Sequence, residues 1–337
     1  MAILTPNATY SVGSVKVNEK IIPDGTRWQN DAKAKAAGFD GVGSLYKKQQ
    51  KISGGTGKPT SVTIHNTNDL ERVEDDGEQY TRATYNENMG SARVHFFVDD
   101  LCAWQNLKAG TGMCKNDPEG SAEVSWHAGD GSASSGGNMT SISIEIIMGD
   151  SAEHDAKAYD NGARLAAWLL HKHKLDISAL VTHTYWVNKS AGKVFADVDE
   201  QCTNLIKNKK WCPKYIFKST KHDIALRNWK EFKACVNEYL NEIYESQMRG
   251  PNEAKKEITK TLYLVQIGSF AKTDDAAALL RSLRADGISG YTVMSNGAYT
   301  VQIGAYSLKS NAEDVRTKIR ALGYEADITM RTEAVSL

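Results

Sequence analysis

SVTIHNT at residues 61–67 and SISIEII at residues 141–147 are the two stretches that decide the fold. Both are short and rich in β-branched residues, a composition that favours strands. In the second stretch the isoleucines alternate with polar residues such as Glu145, so one face of the strand is apolar and the other polar. Two more strands are predicted outward from this pair, RVHFFVDD at residues 93–100 and SALVTHTYW at residues 178–186.

Helical periodicity separates these strands. Apolar residues recur at helical spacing over residues 155–174 and over residues 223–247, whereas GDGSASSGGN at residues 129–138 predicts a loop. Strands that alternate with helices predict an α/β domain with a mixed central sheet flanked by helices. Residues 1–60 are rich in Gly, Lys, Asn and Ser and are predicted to be an irregular lead-in with one short helix near residues 30–37.

An internal repeat marks a second domain. YLVQIGSF at residues 263–270 recurs as YTVQIGAY at residues 299–306, and each copy is followed by a helical pattern that ends at a glycine. Strand-like segments complete the order β-α-β-β-α-β, the split βαβ plan of a small α+β domain. The predicted organisation is a first domain over residues 1–248, a linker over residues 249–261 and a second domain over residues 262–337.

The composition argues against two classes of partner. The 337 residues include 41 Lys and Arg against 41 Asp and Glu, for a net charge of zero. A general nucleic-acid-binding protein needs excess basic residues to neutralise phosphates, so no nucleic acid is expected. No apolar run approaches the ~20 residues that cross a bilayer, so no membrane is expected either. The five cysteines are irregularly spaced, which argues against a disulfide framework.

Two histidines and one cysteine are candidates for a metal site. His65 and His183 lie in predicted strands, and Cys212 directly precedes Pro213. Each of them alone is as well explained as a buried structural residue. Together they form a set of imidazole and thiolate ligands that Zn²⁺ binds tetrahedrally, with a fourth position left for water. Their spacing is not that of a short zinc-finger motif, so the fold must bring them together.

Five elements follow one another in a distinctive order over roughly residues 40–220. They are the His65-Asn66-Thr67 strand, SWHAGDG at residues 125–131, the Ser-Ile-Glu strand around Glu145, the later His183, and KWCP at residues 210–213. Through them the chain resembles the type-2 N-acetylmuramoyl-L-alanine amidases, the family that includes phage endolysins and peptidoglycan-recognition proteins. The resemblance implies a zinc-dependent hydrolase that cuts the amide bond between N-acetylmuramic acid and L-alanine in bacterial peptidoglycan.

The zinc ligands that the resemblance implies are His65, His183 and Cys212. The chain departs from compact family members in one respect, a polar insertion at roughly residues 189–208 that separates the second histidine from the cysteine. The insertion contains another thiol, Cys202, which is not followed by proline. Cys212 is preferred as the third ligand because Lys210 and Pro213 accompany it, as the family pattern requires.

Amide hydrolysis also needs groups that handle protons and charge. Zinc lowers the pKa of bound water to about 7, and a base must pass the water proton to the leaving amine. Glu145, on the polar face of its strand, is the candidate base, and the alternative is a carboxylate that simply faces solvent. Lys210 is the candidate for stabilising the oxyanion, and the alternative is a solvated lysine in a basic run.

Four residues are candidates for substrate contact. His127 has three possible roles, as a zinc ligand, as a substrate contact or as a structural residue. In the family that the chain resembles, the Trp126-His127 segment lines the substrate groove, and a glycine-rich loop that follows suits a groove wall. Substrate contact is therefore the preferred role of both residues. Tyr85 and Asn86 are further candidates.

Residues 262–331 resemble the sporulation-related repeat (SPOR) domain through the doubled Val-Gln-Ile-Gly cores at residues 265–268 and 301–304. The resemblance implies binding to peptidoglycan glycan strands that lack stem peptides. An open sheet face suits the stacking of aromatic rings on sugars, whereas the alternative is that the same rings close the core of the domain. These aromatic residues are Tyr263, Phe270, Tyr299 and Tyr306.

Two alternatives stay open beside the amidase. In one, the chain recognises peptidoglycan without cutting it, although in that class the cysteine ligand is commonly absent. In the other, a zinc peptidase cuts within the stem peptide. The N-terminal residues MAILTPNATYSVGSVK lack the basic start and apolar core of a secretory signal peptide. This favours a phage or prophage endolysin, made in the host cytoplasm and acting on the cell wall after release by a holin-type route.

Overall fold

The computed structural model describes residues 4–22, 50–67, 76–85, 92–131, 133–149, 151–206, 211–217, 228–248, 258–286, 288, 290–295, 297–306 and 309–335. The chain divides into two compact units, Met1–Met248 and Arg249–Leu337. Within the described ranges, no helix combines the length and apolarity that a membrane span requires.

A seven-stranded mixed sheet forms the centre of the first unit. Its strands are β1 (Ala8–Val12), β2 (Val15–Glu19), β3 (Ser61–Asn66), β4 (Phe96–Val98), β5 (Ala103–Gln105), β6 (Ser141–Ile146) and β7 (Leu180–Thr182). They lie in the order β1-β2-β5-β4-β6-β3-β7. Strand β3 runs parallel to both β6 and β7, while β4 and β5 are antiparallel. The sheet confirms the predicted α/β class.

Helices flank this sheet. They are α1 (Gly77–Tyr85), α2 (Gly137–Thr140), α3 (Ala152–Lys172), α4 (His183–Ser190), α5 (Val198–Thr203), α6 (Lys214–Phe217) and α7 (Trp229–Met248). Helix α3 packs against α7 and against the sheet, where Gly162 allows the Ile146 side chain to approach closely. Ile142 and Ile144 on the same strand face are fully buried. Each such side chain contributes roughly 1.5–3 kcal/mol through burial.

The opposite face of β3 and β6 is polar. Since side chains alternate along a strand, Ser61, Thr63 and His65 share one face of β3, and Ser141, Ser143 and Glu145 share the same face of β6. The isoleucines occupy the face that meets α3. The two-faced pattern predicted from SISIEII is therefore present in both strands, and it places the functional candidates away from the apolar core.

The N-terminal segment departs from the prediction. Residues 8–19 are not irregular, because β1 and β2 form a hairpin and β2 pairs in parallel with β5. Val15 and Val17 are buried, and Gly13 at the turn has φ 55°. Only glycine adopts such a backbone readily, which suits a tight hairpin turn. The helix predicted near residues 30–37 lies outside the described residues.

Two predicted strands are shorter in the structure. RVHFFVDD forms a strand only over Phe96–Val98, and SALVTHTYW only over Leu180–Thr182. His183 is therefore the first residue of helix α4 and does not lie in a strand. The reason is local, because the Thr182 side chain accepts a hydrogen bond from Tyr185 N–H and caps the helix N-terminus.

The second unit has the predicted β-α-β-β-α-β order. Its elements are β8 (Ile258–Phe270), α8 (Thr273–Ala285), β9 (Tyr291–Ser295), β10 (Ala298–Tyr306), α9 (Lys309–Ala321) and β11 (Ala326–Val335). The strands form an antiparallel sheet in the order β11-β8-β10-β9, so the two repeat strands are central neighbours. Strand β8 begins at Ile258, inside the predicted linker, and Ile258 pairs with Val335.

The aromatic residue that ends each repeat packs on a glycine of that repeat. A Cβ atom on Gly268 would lie 2.4 Å from the Phe270 ring, and one on Gly304 would lie 2.5 Å from the Tyr306 hydroxyl oxygen. Each glycine thus makes room for the ring two residues later. Both rings are half-buried, and neither is among the buried core residues of the second unit.

Candidate metal centre

Three side chains converge at one edge of the central sheet. His65 lies near the C-terminal end of β3, and His183 follows the adjacent parallel strand β7 directly. Cys212 joins them from the segment before α6. The candidate ligand atoms of the three residues all lie within 4.8 Å of one another. Within the described part of the chain, this is the one group of three or more His, Cys, Asp and Glu residues that meets this distance.

Thr184 holds Cys212 beside α4. The Cys212 N–H donates to Thr184 Oγ1 at 3.1 Å, and the Thr184 N–H donates to the Cys212 carbonyl oxygen at 3.0 Å. The segment before α6 is thereby tied to the first turn of the helix that begins at His183. The polar insertion between His183 and Cys212 consequently does not displace the cysteine from the two histidines.

The donor set fits a zinc ion. Cys212 Sγ lies 3.6 Å from His65 Nδ1, and the His65 and His183 ring centroids are 4.8 Å apart. Zn–S and Zn–N bonds of about 2.3 and 2.0–2.1 Å at a tetrahedral angle separate the two ligand atoms by about 3.6 Å. His65 and Cys212 are buried, whereas His183 is half-buried. The separation of His65 Nδ1 and Cys212 Sγ therefore suits a zinc ion, and the group has one partly exposed member in His183.

Glu145 lies next to His65 in the sheet. The two residues are direct partners in the parallel pairing of β3 and β6, and neighbouring strands lie about 4.7–4.9 Å apart. Both side chains are on the polar face, and Glu145 is half-buried. The structure thus places the predicted base beside the predicted metal ligands.

His127 lies behind His65 rather than among the three ligand residues. Its Nδ1 is 2.9 Å from His65 Nε2, and its Nε2 is 3.2 Å from both the Gly137 carbonyl oxygen and Ser141 Oγ. Burial lowers the pKa of His127 well below its ordinary value, which favours a neutral ring. Because both ring nitrogens face protein atoms, this geometry favours a structural role over the predicted substrate contact.

A layer of hydrogen-bonded polar side chains supports His127. Thr63 Oγ1 lies 2.7 Å from Ser141 Oγ and accepts a hydrogen bond from Trp186 Nε1 at 2.8 Å. Nearby on the same sheet face, His95 Nδ1 lies 3.0 Å from Ser143 Oγ. The hydroxyls of Thr63, Ser141 and Ser143 each have a partner, as buried polar groups require. Neither Thr63 nor Ser141 was predicted to be a functional residue, although their alternation with isoleucine and valine placed them on the polar face.

The other candidates are distributed as follows. Trp126 is half-buried, and its carbonyl oxygen accepts a hydrogen bond from Arg93 N–H. Tyr85 packs against Ile22 and Leu107, contacts that do not join it to the metal ligands. Lys210 and Asn86 lie outside the described residues, so their roles stay predictions.

Cys202, the alternative thiol, lies in α5 and not in the metal group. It is buried, and its carbonyl oxygen accepts a hydrogen bond from Thr182 Oγ1 at 2.8 Å. Burial raises the pKa of its thiol to about 12, which disfavours the thiolate that a metal would need. The geometry therefore supports Cys212 as the third candidate ligand.

Gly129 lies near the site and was not predicted from the sequence. A Cβ atom there would lie 3.8 Å from His183 Nε2, and the backbone has φ 68°. A glycine at this position keeps the space beside His183 open. The signal available in the sequence was the glycine-rich composition of the loop, which does not indicate which glycine faces the site.

Comparisons with known proteins identify two regions. Residues 55–214 match the family described as N-acetylmuramoyl-L-alanine amidase, and residues 295–336 match the SPOR domain. The second match begins after the first of the two repeats. All three candidate ligands, together with Glu145 and His127, lie inside the first match.

Two curated relatives come from Bacillus subtilis (strain 168). The chain is 33% identical to N-acetylmuramoyl-L-alanine amidase XlyA over 140 residues, which cover 41% of each protein. It is 29% identical to N-acetylmuramoyl-L-alanine amidase CwlH over 139 residues, or 41% of this chain and 49% of that protein. The matched region thus spans less than half the length of each curated relative.

A solved structure, the catalytic domain of XlyA, is 25% identical to the chain. The alignment covers 66% of the present chain and 99% of the XlyA catalytic domain, with a TM-score of 0.42. The two family matches thus make residues 55–214 similar to the N-acetylmuramoyl-L-alanine amidase family and residues 295–336 similar to the SPOR domain family.

Proposed function

We propose that the first unit hydrolyses the amide bond between N-acetylmuramic acid and L-alanine in bacterial peptidoglycan, with Zn²⁺ held by His65, His183 and Cys212. One observation carries the proposal. Two imidazoles and one thiolate, drawn from three distant parts of the chain, converge within 4.8 Å inside the region that matches the amidase family. Such a set of three protein ligands is typical of catalytic zinc sites.

The reaction needs both an electrophile and a proton carrier. A bound zinc ion would polarise the scissile carbonyl and make water a competent nucleophile near neutral pH. Glu145, the strand partner of His65, would take a proton from the attacking water and return it to the amine of the departing L-alanine. The open space beside Gly129 and the half-buried His183 would admit the substrate carbonyl. Lys210 stays the predicted stabiliser of the oxyanion.

The test is digestion of purified cell walls by the full-length protein in the presence of zinc. We expect new L-alanine amino termini, and mass spectrometry of the muropeptides should show intact stem peptides separated from intact glycan. Cys212→Ser should lose both zinc and activity, whereas Cys202→Ser should retain both. Release of no L-alanine amino termini by the zinc-loaded protein would refute the proposal.

Two other functions make different predictions in the same experiment. Cleavage within the stem peptide would give shortened peptides still attached to glycan. A protein that only binds peptidoglycan would give no new termini at all. The presence of Cys212 beside both histidines favours an enzyme over a binding protein, because peptidoglycan recognition without hydrolysis does not require a third metal ligand.

We further propose that the second unit binds peptidoglycan glycan strands that lack stem peptides. A row of polar side chains crosses all four strands. Thr329 Oγ1 donates to Gln266 Oε1 at 2.8 Å, Gln266 Nε2 lies 3.5 Å from Gln302 Oε1, and Gln302 Nε2 donates to the Tyr291 hydroxyl at 2.7 Å. Gln302 is buried, whereas Gln266 is half-buried and Thr329 and Tyr291 are exposed, so these three are the members of the row that a ligand could reach. Amide and hydroxyl groups arranged in a row can donate hydrogen bonds to the hydroxyl groups of a sugar chain and accept hydrogen bonds from them.

Deletion of residues 250–337 tests this second proposal. The shortened protein should bind cell walls more weakly while keeping its zinc, because a second binding site raises the local enzyme concentration. Glycan stripped of peptides should bind the full-length protein more tightly than intact peptidoglycan does. Equal binding of both materials would contradict the proposed specificity, and loss of zinc on truncation would contradict the separation of the two units.

The role as a phage or prophage endolysin also stays a prediction. Host cells that make the chain in the cytoplasm should continue to grow until a pore-forming protein or chloroform opens the membrane, and should then lyse. Lysis without such treatment would contradict the predicted holin-type route.

A further inference from the structure

His65 and His127 share a hydrogen bond directly behind the metal group. One ring nitrogen of His65, Nδ1, lies 3.6 Å from Cys212 Sγ, on the side where the ligand atoms converge. The other, Nε2, lies 2.9 Å from His127 Nδ1. The two nitrogens of His65 are thus divided between the metal group and His127.

The position of each proton follows from the partner of His127 Nε2. That nitrogen lies 3.2 Å from the Gly137 carbonyl oxygen, which can only accept a hydrogen bond. A neutral ring that donates to this carbonyl carries its proton on Nε2, with Ser141 Oγ as a second acceptor at 3.2 Å, and its Nδ1 is then the acceptor. It follows that His65 donates through Nε2–H, which leaves the lone pair of His65 Nδ1 facing Cys212.

We propose that His127 is a positioning residue that holds His65 in the tautomer whose Nδ1 binds zinc. The inference rests on the proposed zinc site and adds to it a residue that is not itself a ligand. Histidine ligands of metals commonly donate their second N–H to a fixed acceptor, which sets both the tautomer and the orientation of the ring. Here the acceptor is a second histidine instead of the more usual carboxylate or carbonyl.

The surroundings of His127 keep this acceptor in place. Asn138 Oδ1 accepts the backbone N–H of His127 at 2.8 Å and that of Ala128 at 2.7 Å. Gly137, whose carbonyl orients the ring, is itself packed so tightly that a Cβ atom on it would lie 2.6 Å from the Trp186 ring. Ser141 Oγ lies on the same side of the ring as this carbonyl, 3.2 Å from Nε2. The orientation of His127 is therefore set before any metal binds.

Three variants test the proposal through zinc affinity, measured on the full-length protein by competition with a chelator. His127→Leu removes the acceptor and should weaken zinc binding about 10–100-fold. His127→Asn places an amide oxygen near the position of Nδ1 and should restore most of the affinity. His95→Leu is the matched control, because His95 is a buried histidine of the same polar layer with contacts to Ser143 and Glu123 but not to His65. It should leave zinc affinity unchanged even where it lowers stability.

A measurement on the unaltered protein keeps the test decisive if His127→Leu fails to fold. Long-range ¹H–¹⁵N correlation spectra of the zinc-loaded protein with ¹⁵N-labelled histidine should show a protonated Nε2 on both His65 and His127. A protonated Nδ1 on His65, or equal zinc affinity of wild type and His127→Leu, would overturn the proposal while leaving the zinc site intact. Failure of the wild-type protein to bind zinc would overturn the proposed function as well.

Discussion

Replacing Thr184 by valine tests whether the first turn of α4 holds the cysteine in place. Thr184 is fully buried, and its Oγ1 is the acceptor for the Cys212 N–H at 3.1 Å. Valine has nearly the same shape but lacks this oxygen, so the Cys212 N–H loses its acceptor. The Cys212 carbonyl oxygen keeps the Thr184 N–H as a donor at 3.0 Å. A buried donor deprived of its acceptor costs about 1–3 kcal/mol, and we expect the free energy of unfolding to fall by that amount.

Zinc should increase the difference in the free energy of unfolding between the wild-type protein and Thr184→Val. An ion that binds only the folded state stabilises it in proportion to the logarithm of its affinity. If the loosened Cys212 weakens zinc binding tenfold, the zinc-loaded variant loses about 1.4 kcal/mol more than the metal-free variant. Urea unfolding of both proteins, each with saturating zinc and with a chelator, separates the two contributions.

Two controls make the result specific. Thr184→Ser keeps the oxygen and should remain close to wild type. Thr81→Val changes another fully buried threonine, whose hydroxyl has no hydrogen-bond partner among the described residues, so it should cost little. Thr184 Oγ1 does not hold Cys212 in place if Thr184→Val unfolds at the wild-type urea concentration with and without zinc, or if Thr184→Ser is equally destabilised.

Three further predictions concern the layers around the site and the second unit. Gly137→Ala would bring a Cβ atom to 2.6 Å from the Trp186 ring, so thermal unfolding should show a loss of about 1–3 kcal/mol. Burial lowers the pKa of His95 to about 3 from 6.5, so the unfolded chain binds a proton that the folded chain does not. Stability should therefore fall as the pH drops from 6.5 towards 3, by up to about 1.4 kcal/mol per pH unit, and urea unfolding of His95→Asn should show a weaker dependence. Gly304→Ala would displace the Tyr306 ring, and hydrogen exchange should show faster opening of the second unit alone.

The polar alternation explains why part of the site could be predicted from the sequence. His65 and Glu145 come from segments far apart in the chain, but both lie in strands whose apolar positions alternate with polar ones. Such strands must turn one face to the core, so the histidine and the carboxylate were expected on the other face. Parallel pairing of β3 with β6 then makes them direct neighbours. The C-terminal repeat was predictable for the same reason, since its strands and helices each have a clear period.

The positions of His183 and His127 could not be derived in this way. The residues around His183 have the composition of a strand, and the change to helix depends on one capping hydrogen bond from Tyr185 N–H to Thr182. The orientation of His127 depends on Asn138 and on the packing of a glycine against a tryptophan, contacts that sequence periodicity does not show. The same limitation applies to the hairpin at residues 8–19, whose partner strand β5 lies more than eighty residues later.

The shared alternation of β3 and β6 has a consequence for how this chain can change. A sheet face has a period of two, so inserting or deleting one residue within β3 would turn His65 into the isoleucine layer and expose isoleucine where a ligand belongs. Length changes in the segment between His183 and Cys212 do not shift the register of a strand. Thr184, at the start of α4, holds Cys212 at the end of that segment. Natural or engineered variation should therefore accumulate in that segment, while the length of the buried strands stays constant.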